Sequence, residues 1–331
     1  MKTLRSILFG VLAALVVQTQ VSAAPDVYAS VKPVHSLVAA VMRDVGDPHI
    51  IVDGADSPHA YSLKPSQARG LERADVIFWV GPGFETFLKK PIAVLGSKAE
   101  VIELSASAGL LKLGVREGGA FELHDEGAHD EGSPDGHDAH DHADEARPGS
   151  DHDATEHGPF DMHLWLDPQN AKSFVVRIER ALSLADPANA PTYRANAKTV
   201  LARLDALTLE LASTLRPVKD KPFIVFHDAY QYFESRFGIR AAGSISVSPE
   251  TIPGAERIME IRTKVRQMGA TCVFAEPQFE PKLVSVVLEG AEARYAVLDP
   301  LGAAIENGPD LYFTVLRSMA DTIATCLSAG S

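Results

Sequence analysis

Apolar residues in this 331-residue chain are grouped in two ways. Short, nearly continuous runs occur at 27–31, 50–52, 76–80 and 101–104, and again at 223–226, 239–242, 272–275 and 296–298. Runs of that length without polar alternation predict strands covered on both faces, the habit of parallel sheets. Between them, apolar residues recur every three or four positions. That spacing predicts helices over 33–45, 66–73, 84–95, 169–184, 229–237, 254–268, 281–289 and 310–327. Four strands alternating with helices, twice over, predict an α/β protein of two (β/α)4-like lobes with mostly parallel sheets.

One helical stretch is longer than the rest. From 191 to 216 the residues Tyr193, Ala197, Val200, Leu204, Leu207, Leu211 and Leu215 form an apolar stripe. Arg194, Lys198, Arg203, Asp205 and Glu210 occupy the other side, and Pro191 and Pro217 bracket the stretch. It predicts a rigid helix joining the lobes. The division expected is an N-terminal lobe at 24–187, a linker helix at 188–216 and a C-terminal lobe at 217–331. Residues 1–23 read as an export signal: Lys2 and Arg5, an apolar run at 7–17, then Val21-Ser22-Ala23 as a cleavage site. No other stretch predicts membrane insertion. An exported chain meets an oxidising compartment, where its two cysteines, Cys272 and Cys326, can pair and pin the last helix to a strand; two buried thiols are the alternative.

The charge is concentrated in one place. The window 121–161 holds fourteen acidic residues against one base, Arg147, a net of −13 that equals the formal charge of the whole chain. It also holds His124, His129, His137, His140, His142, His152 and His157, seven of the twelve histidines. With almost nothing apolar to bury, the segment is expected to form no packed core. Imidazoles beside carboxylates suit divalent transition metals, so loose, auxiliary metal collection is expected there.

The remaining histidines are placed differently. His227 ends the run at 223–226, His59 lies in the loop after 50–52, and His163 follows the acidic segment where the apolar pattern resumes with Leu164-Trp165-Leu166. Asp299 and Glu276 also follow strand-like runs. Ligands of open α/β sheets bind beyond the carboxyl ends of strands. Three imidazoles with a carboxylate or water make a zinc site, so a metal cleft between the lobes is expected. Glu276 reads more simply as structural, His35 as a packing residue and His49 as a surface residue.

The stretches SPHAYSLKPSQARGLERADVIFWVGPGFETFL, DMHLWLDPQNA, FHDAYQYFESRFGI, FAEPQF and LDPLG resemble the ZnuA-type proteins, the periplasmic zinc-binding components of high-affinity zinc ABC importers. The resemblance covers nearly the whole chain after the export signal. It implies two (β/α)4-like lobes, a long connecting helix and one Zn2+ held by His59, His163 and His227. For the fourth position it implies Asp299 or water, because Pro58 stands where some relatives carry an acid. It matches the Cys272–Cys326 pair to the disulfide of close relatives. It implies a membrane permease as partner, with no nucleic acid and a monomeric state. The competing classes are a zinc hydrolase and an extracytoplasmic zinc buffer or adhesin. The chain lacks the HExxH and GxSxG patterns that would favour the hydrolase.

Overall fold

The computed structural model describes residues 24–116, 121, 160–246, 254–267, 272–279, 281–290 and 292–328. The export-signal reading at 1–23 and the seven histidines of the acidic segment lie outside these residues.

Eight strands form two sheets. In the first, β1 (Val27–Val31), β2 (His49–Val52), β3 (Val76–Trp79) and β4 (Glu100–Glu103) pair in the order β2-β1-β3-β4. In the second, β5 (Phe223–Val225), β6 (Ala241–Ser244), β7 (Cys272–Ala275) and β8 (Arg294–Val297) take the same order, β6-β5-β7-β8. Every pairing is parallel. All residues of β1, β3, β5 and β7 are buried, as expected for inner strands covered on both faces. In both sheets the strand order turns between the first and third strands in sequence. The carboxyl ends there flank a crevice suited to a ligand.

The connecting helices are α1 (Lys32–Met42), α2 (Pro65–Arg73), α3 (Lys89–Val94), α4 (Pro168–Ala185), α5 (Ala190–Leu215), α6 (Gln231–Phe237), α7 (Ala255–Gln267), α8 (Pro281–Leu288) and α9 (Leu311–Ser328). None among the described residues is long and apolar enough to cross a membrane. The helix expected at 84–95 is shorter than its apolar spacing suggests. A 3-10 turn at Thr86–Leu88 precedes α3, because the buried Glu85 turns inward. Its carboxylate accepts the Gly81 and Val80 N–H groups at 2.9 and 3.0 Å and the Ser30 hydroxyl at 2.5 Å.

The long helix α5 has 26 residues, about 39 Å at 1.5 Å per residue. Its apolar stripe is buried at Tyr193, Ala197, Val200, Leu204, Leu207, Leu211 and Leu215. It packs on α1, α4 and α9. Its polar side is also tied down: Arg203 reaches Asp310 at 2.6 Å and Glu210 takes both Nε and an Nη of Arg317 at 2.8 Å. The last helix, α9, packs on α1 as well as on α5 and β8. One hydrophobic core therefore runs from the first sheet through α1, α4, α5 and α9 to residues of β5 and β7. A smaller core fills the other face of the second sheet, under α7 and α8. An apolar core shared across the lobes opposes free hinge motion.

Cys272 of β7 and Cys326 of α9 form a disulfide with a sequence separation of 54. Closing a loop of that length removes unfolded-chain entropy worth ~4 kcal/mol. Thiol titration of denatured, unreduced protein should find no free thiol. A Cys272→Ala/Cys326→Ala variant should unfold at lower denaturant concentration, and an unchanged midpoint would contradict the structural role.

Candidate metal centre

Three segments converge at the strand ends. After β2 the chain makes a loop whose start is held by Asp53, which pairs with the buried Lys32 at 3.7 Å and accepts from Asn307 Nδ2 at 3.2 Å. Its far end is held by Gln67 of α2, which bonds the Tyr61 hydroxyl, the Lys64 N–H and the Ile51 carbonyl. His59 stands between these anchors, its ring edge-on to Phe84 with centroids 4.8 Å apart.

His163 precedes a 3-10 turn, Leu164–Leu166, whose residues are fully buried. Trp165 locks that turn across the lobes by donating Nε1–H to the Pro300 carbonyl at 3.0 Å, while its own carbonyl accepts from the Tyr312 hydroxyl at 2.6 Å. Asp167 then caps α4, accepting the Gln169 N–H at 2.8 Å, and pairs with Arg236 of α6 through two bonds of 2.7 Å. His227 follows β5, in the crevice where the second sheet's order turns.

The ring orientations matter most. Asp161 Oδ1 lies 2.7 Å from His163 Nδ1 and also accepts the His163 backbone N–H at 2.9 Å. Glu276, at the end of β7, lies 2.6 Å from His227 Nδ1. An ionised carboxylate only accepts, so with both acids ionised each ring keeps its proton on Nδ1 and turns Nε2 the other way. Those two Nε2 atoms face each other at 3.4 Å. His59 joins them: ligand atoms of His59, His163 and His227 all lie within 4.8 Å of one another, the one such group of His, Cys, Asp or Glu among the described residues. With Zn–N bonds of 2.0–2.1 Å, two tetrahedral ligands stand about 3.3–3.4 Å apart. The His163–His227 pair already has that spacing.

The surroundings are apolar and tight. Phe84, Trp165, Phe279, Pro300 and Leu301 line a cavity of about 20 Å³ at the three rings, space for one ion or water. Burial pushes the Asp161 carboxyl up to about 7, against the pull of the His163 N–H and the charges of Arg116 and His227. Burial works against charge on His227, but the Glu276 carboxylate overcomes it and the histidine is raised. A cation on the Nε2 side reverses that preference and favours neutral imidazoles backed by anionic carboxylates.

The other expected residues sort clearly. Asp299 makes a turn: its Oδ1 accepts the Leu301 and Gly302 N–H groups at 3.3 and 2.8 Å, and it stands outside the three-histidine group. Glu276, which reads as merely structural in the sequence, orients a ring of the cluster. His35 is a buried packing residue bonded to the Pro48 carbonyl at 2.9 Å. His49 is exposed, beside Asp26 at 3.1 Å and stacked on Tyr28. Asp161 is hidden in the sequence as one of the fourteen acids of its window; its position two residues before His163 is the signal that distinguishes it.

The fold and this site define a class: a two-lobed α/β binding protein with an imidazole cluster between its lobes. The ZnuA family model, zinc-uptake complex component A, periplasmic, matches residues 27–326, and the chain belongs to that family. A high-affinity zinc uptake system protein ZnuA of Brucella suis biovar 1 is 53% identical over 310 residues, covering 91% of each chain. A ZnuA crystal structure has the same fold, with a TM-score of 0.71 at 24% identity over 91% of this chain and 98% of its own. So does a ZnuA deletion mutant with zinc bound, with a TM-score of 0.69 at 24% identity over 92% of this chain and 98% of its own.

Removing the orienting anions should weaken metal binding without removing a ligand. Glu276→Gln and Asp161→Asn should each lower zinc affinity by ~10–100-fold. Competition against a chromophoric chelator reads this directly, and wild-type affinity in both variants would refute the orienting role.

Proposed function

We propose that the protein captures Zn2+ between its lobes in the periplasm and delivers it to the membrane permease of a zinc ABC importer. Membership of the ZnuA family supports the transport role, a carrier's role and not an enzyme's. The relative from Brucella suis is named for high-affinity zinc uptake. The observation that carries the reading is the 3.4 Å approach of His163 Nε2 to His227 Nε2, with His59 completing the group. Three borderline nitrogen donors suit zinc better than the harder cations, which favour oxygen. Solvent suits the fourth position better than Asp299, whose Oδ1 already serves its own turn.

The acidic segment adds a second, looser capacity. Its seven histidines and its acids would gather zinc beside the cleft. Ordering them around an ion costs ~1–2 kcal/mol per residue fixed, so each such site is weaker than the preformed one. The protein's export and its action as a monomer belong to the same reading.

Each of His59→Ala, His163→Ala and His227→Ala should abolish the tight site in calorimetry, leaving only weak equivalents. Deleting residues 122–155 should do the reverse, removing weak equivalents and sparing the tight one. Near-normal tight binding in any histidine variant would remove that residue from the site. Loss of tight binding in the deletion would mean that the segment supplies a primary ligand.

Affinity should also fall with pH. Protons compete for the imidazoles, and because His227 is raised above its ordinary 6.5, its share of the competition should begin above that value as pH falls. A titration series from pH 8 to 5 checks it, and an affinity flat across that range would contradict an imidazole site.

A further inference from the structure

Both ends of the acidic segment meet at one brace. Residues 111–116 lead into it, and Phe160 and Asp161 lead out. The brace is fixed to the first lobe by Asn170 of α4, which exchanges two hydrogen bonds with Leu111, at 2.8 and 3.0 Å. It touches the arm that carries His163: the Asp161 N–H donates to the Leu113 carbonyl at 2.9 Å. The Tyr232 hydroxyl closes this junction, accepting the Leu113 N–H at 3.1 Å and donating to the Asp161 carbonyl at 2.6 Å.

Arg116 ends the brace and reaches the other arm. Its Nε donates to Asp228 at 2.8 Å, and its two terminal nitrogens donate to Glu234 at 2.8 and 2.9 Å; a further bond joins Nη2 to Asp228. Asp228 is the residue next to His227. Glu234 belongs to α6 and also accepts the Ala241 N–H at the start of β6, at 3.0 Å. The Arg116, Asp228 and Glu234 side chains are 16%, 14% and 4% exposed. The Phe121 ring covers the guanidinium at 4.2 Å. So one forked cation, shielded from water, spans the two carboxylates that follow His227 in its arm, while the same six-residue brace holds the residue that orients His163.

We infer that Arg116 is a positioning residue for the metal centre: through Asp228, Glu234 and the brace it fixes the His227 arm against the His163 arm and so sets the spacing of the two imidazoles. The inference rests on the three-histidine reading of the site. Without the guanidinium, the buried Glu234 and the largely shielded Asp228 face each other uncompensated, and the arm must shift to admit water or to separate them. The three ligands survive, but they are no longer held at tetrahedral spacing before the ion arrives. Lysine retains the charge without the planar fork, so it restores the function only in part.

The test uses the full-length mature protein with Arg116→Ala, Arg116→Lys and, as a control, His227→Ala. Zinc affinity is read by chelator competition, release by stopped-flow chelator capture, the ligand set by the visible spectrum of the Co2+ form, and folding by thermal melts of the metal-free protein. Arg116→Ala should keep one equivalent at the cleft, distinct from the weak equivalents of the acidic segment, with a Co2+ spectrum still characteristic of three imidazoles, an affinity ~10–100-fold weaker and a correspondingly faster release. Arg116→Lys should fall between that variant and wild type. A lower melting temperature in Arg116→Ala with affinity and release rate unchanged would reduce the residue to a structural role and overturn the inference. If Arg116→Ala does not fold, wild-type affinity and release in Arg116→Lys overturn it equally. Tight binding by His227→Ala would instead show that the three-histidine reading had failed.

Discussion

The site depends on two hydrogen bonds made on the far sides of its rings. An imidazole can present either nitrogen, and in a tight apolar cavity the wrong one would leave no donor for a cation. Asp161 and Glu276 remove the ambiguity by occupying Nδ1 of His163 and His227. Each carboxylate comes from a place the fold dictates. Glu276 ends β7, beside the end of β5 that bears His227, because the two strands are neighbours in the sheet. Asp161 is held by the brace at Leu113. Both acids are buried, so a cation that holds them ionised has its charge matched in a medium that screens it weakly.

Rigidity follows from the way the lobes are joined. The apolar core continues from one sheet to the other, α5 and α9 lie across both, and Trp165, Tyr312, Asp167 and Lys32 add polar ties between the halves. A small, strongly hydrated ion needs little room to enter. What it needs is a shell of donors whose ordering cost was met during folding, and a stiff frame supplies it. His59 stands on the least regular of the three arms, in a loop between β2 and α2 whose ends are held by Asp53 and Gln67.

Much of this was legible in the sequence, and the limits are physical. Inner strands show themselves because burial on both faces leaves continuous apolar runs, as in β1, β3 and β7. The strand expected at 239–242 instead forms at Ala241–Ser244: Ile239 packs in the core before the strand begins, while Gly243 and Ser244 pair with β5 and carry no apolar signal. His59, His163 and His227 stood out because each follows a strand or the return of ordered pattern. The groups that aim and brace them did not. Asp161 adjoins His163 but is one of many similar acids, and Arg116 acts on Asp228 and Glu234 at sequence separations of 112 and 118, a pairing that no local periodicity encodes.

Anomalous diffraction at the zinc edge, on crystals of the loaded protein, tests the central claim most directly. The account predicts one strong peak between the lobes, about 2.0–2.1 Å from Nε2 of His163, Nε2 of His227 and a ring nitrogen of His59, with Asp161 and Glu276 still bonded to Nδ1. A principal peak bound through those carboxylates, through Nδ1, or away from the three rings would contradict it.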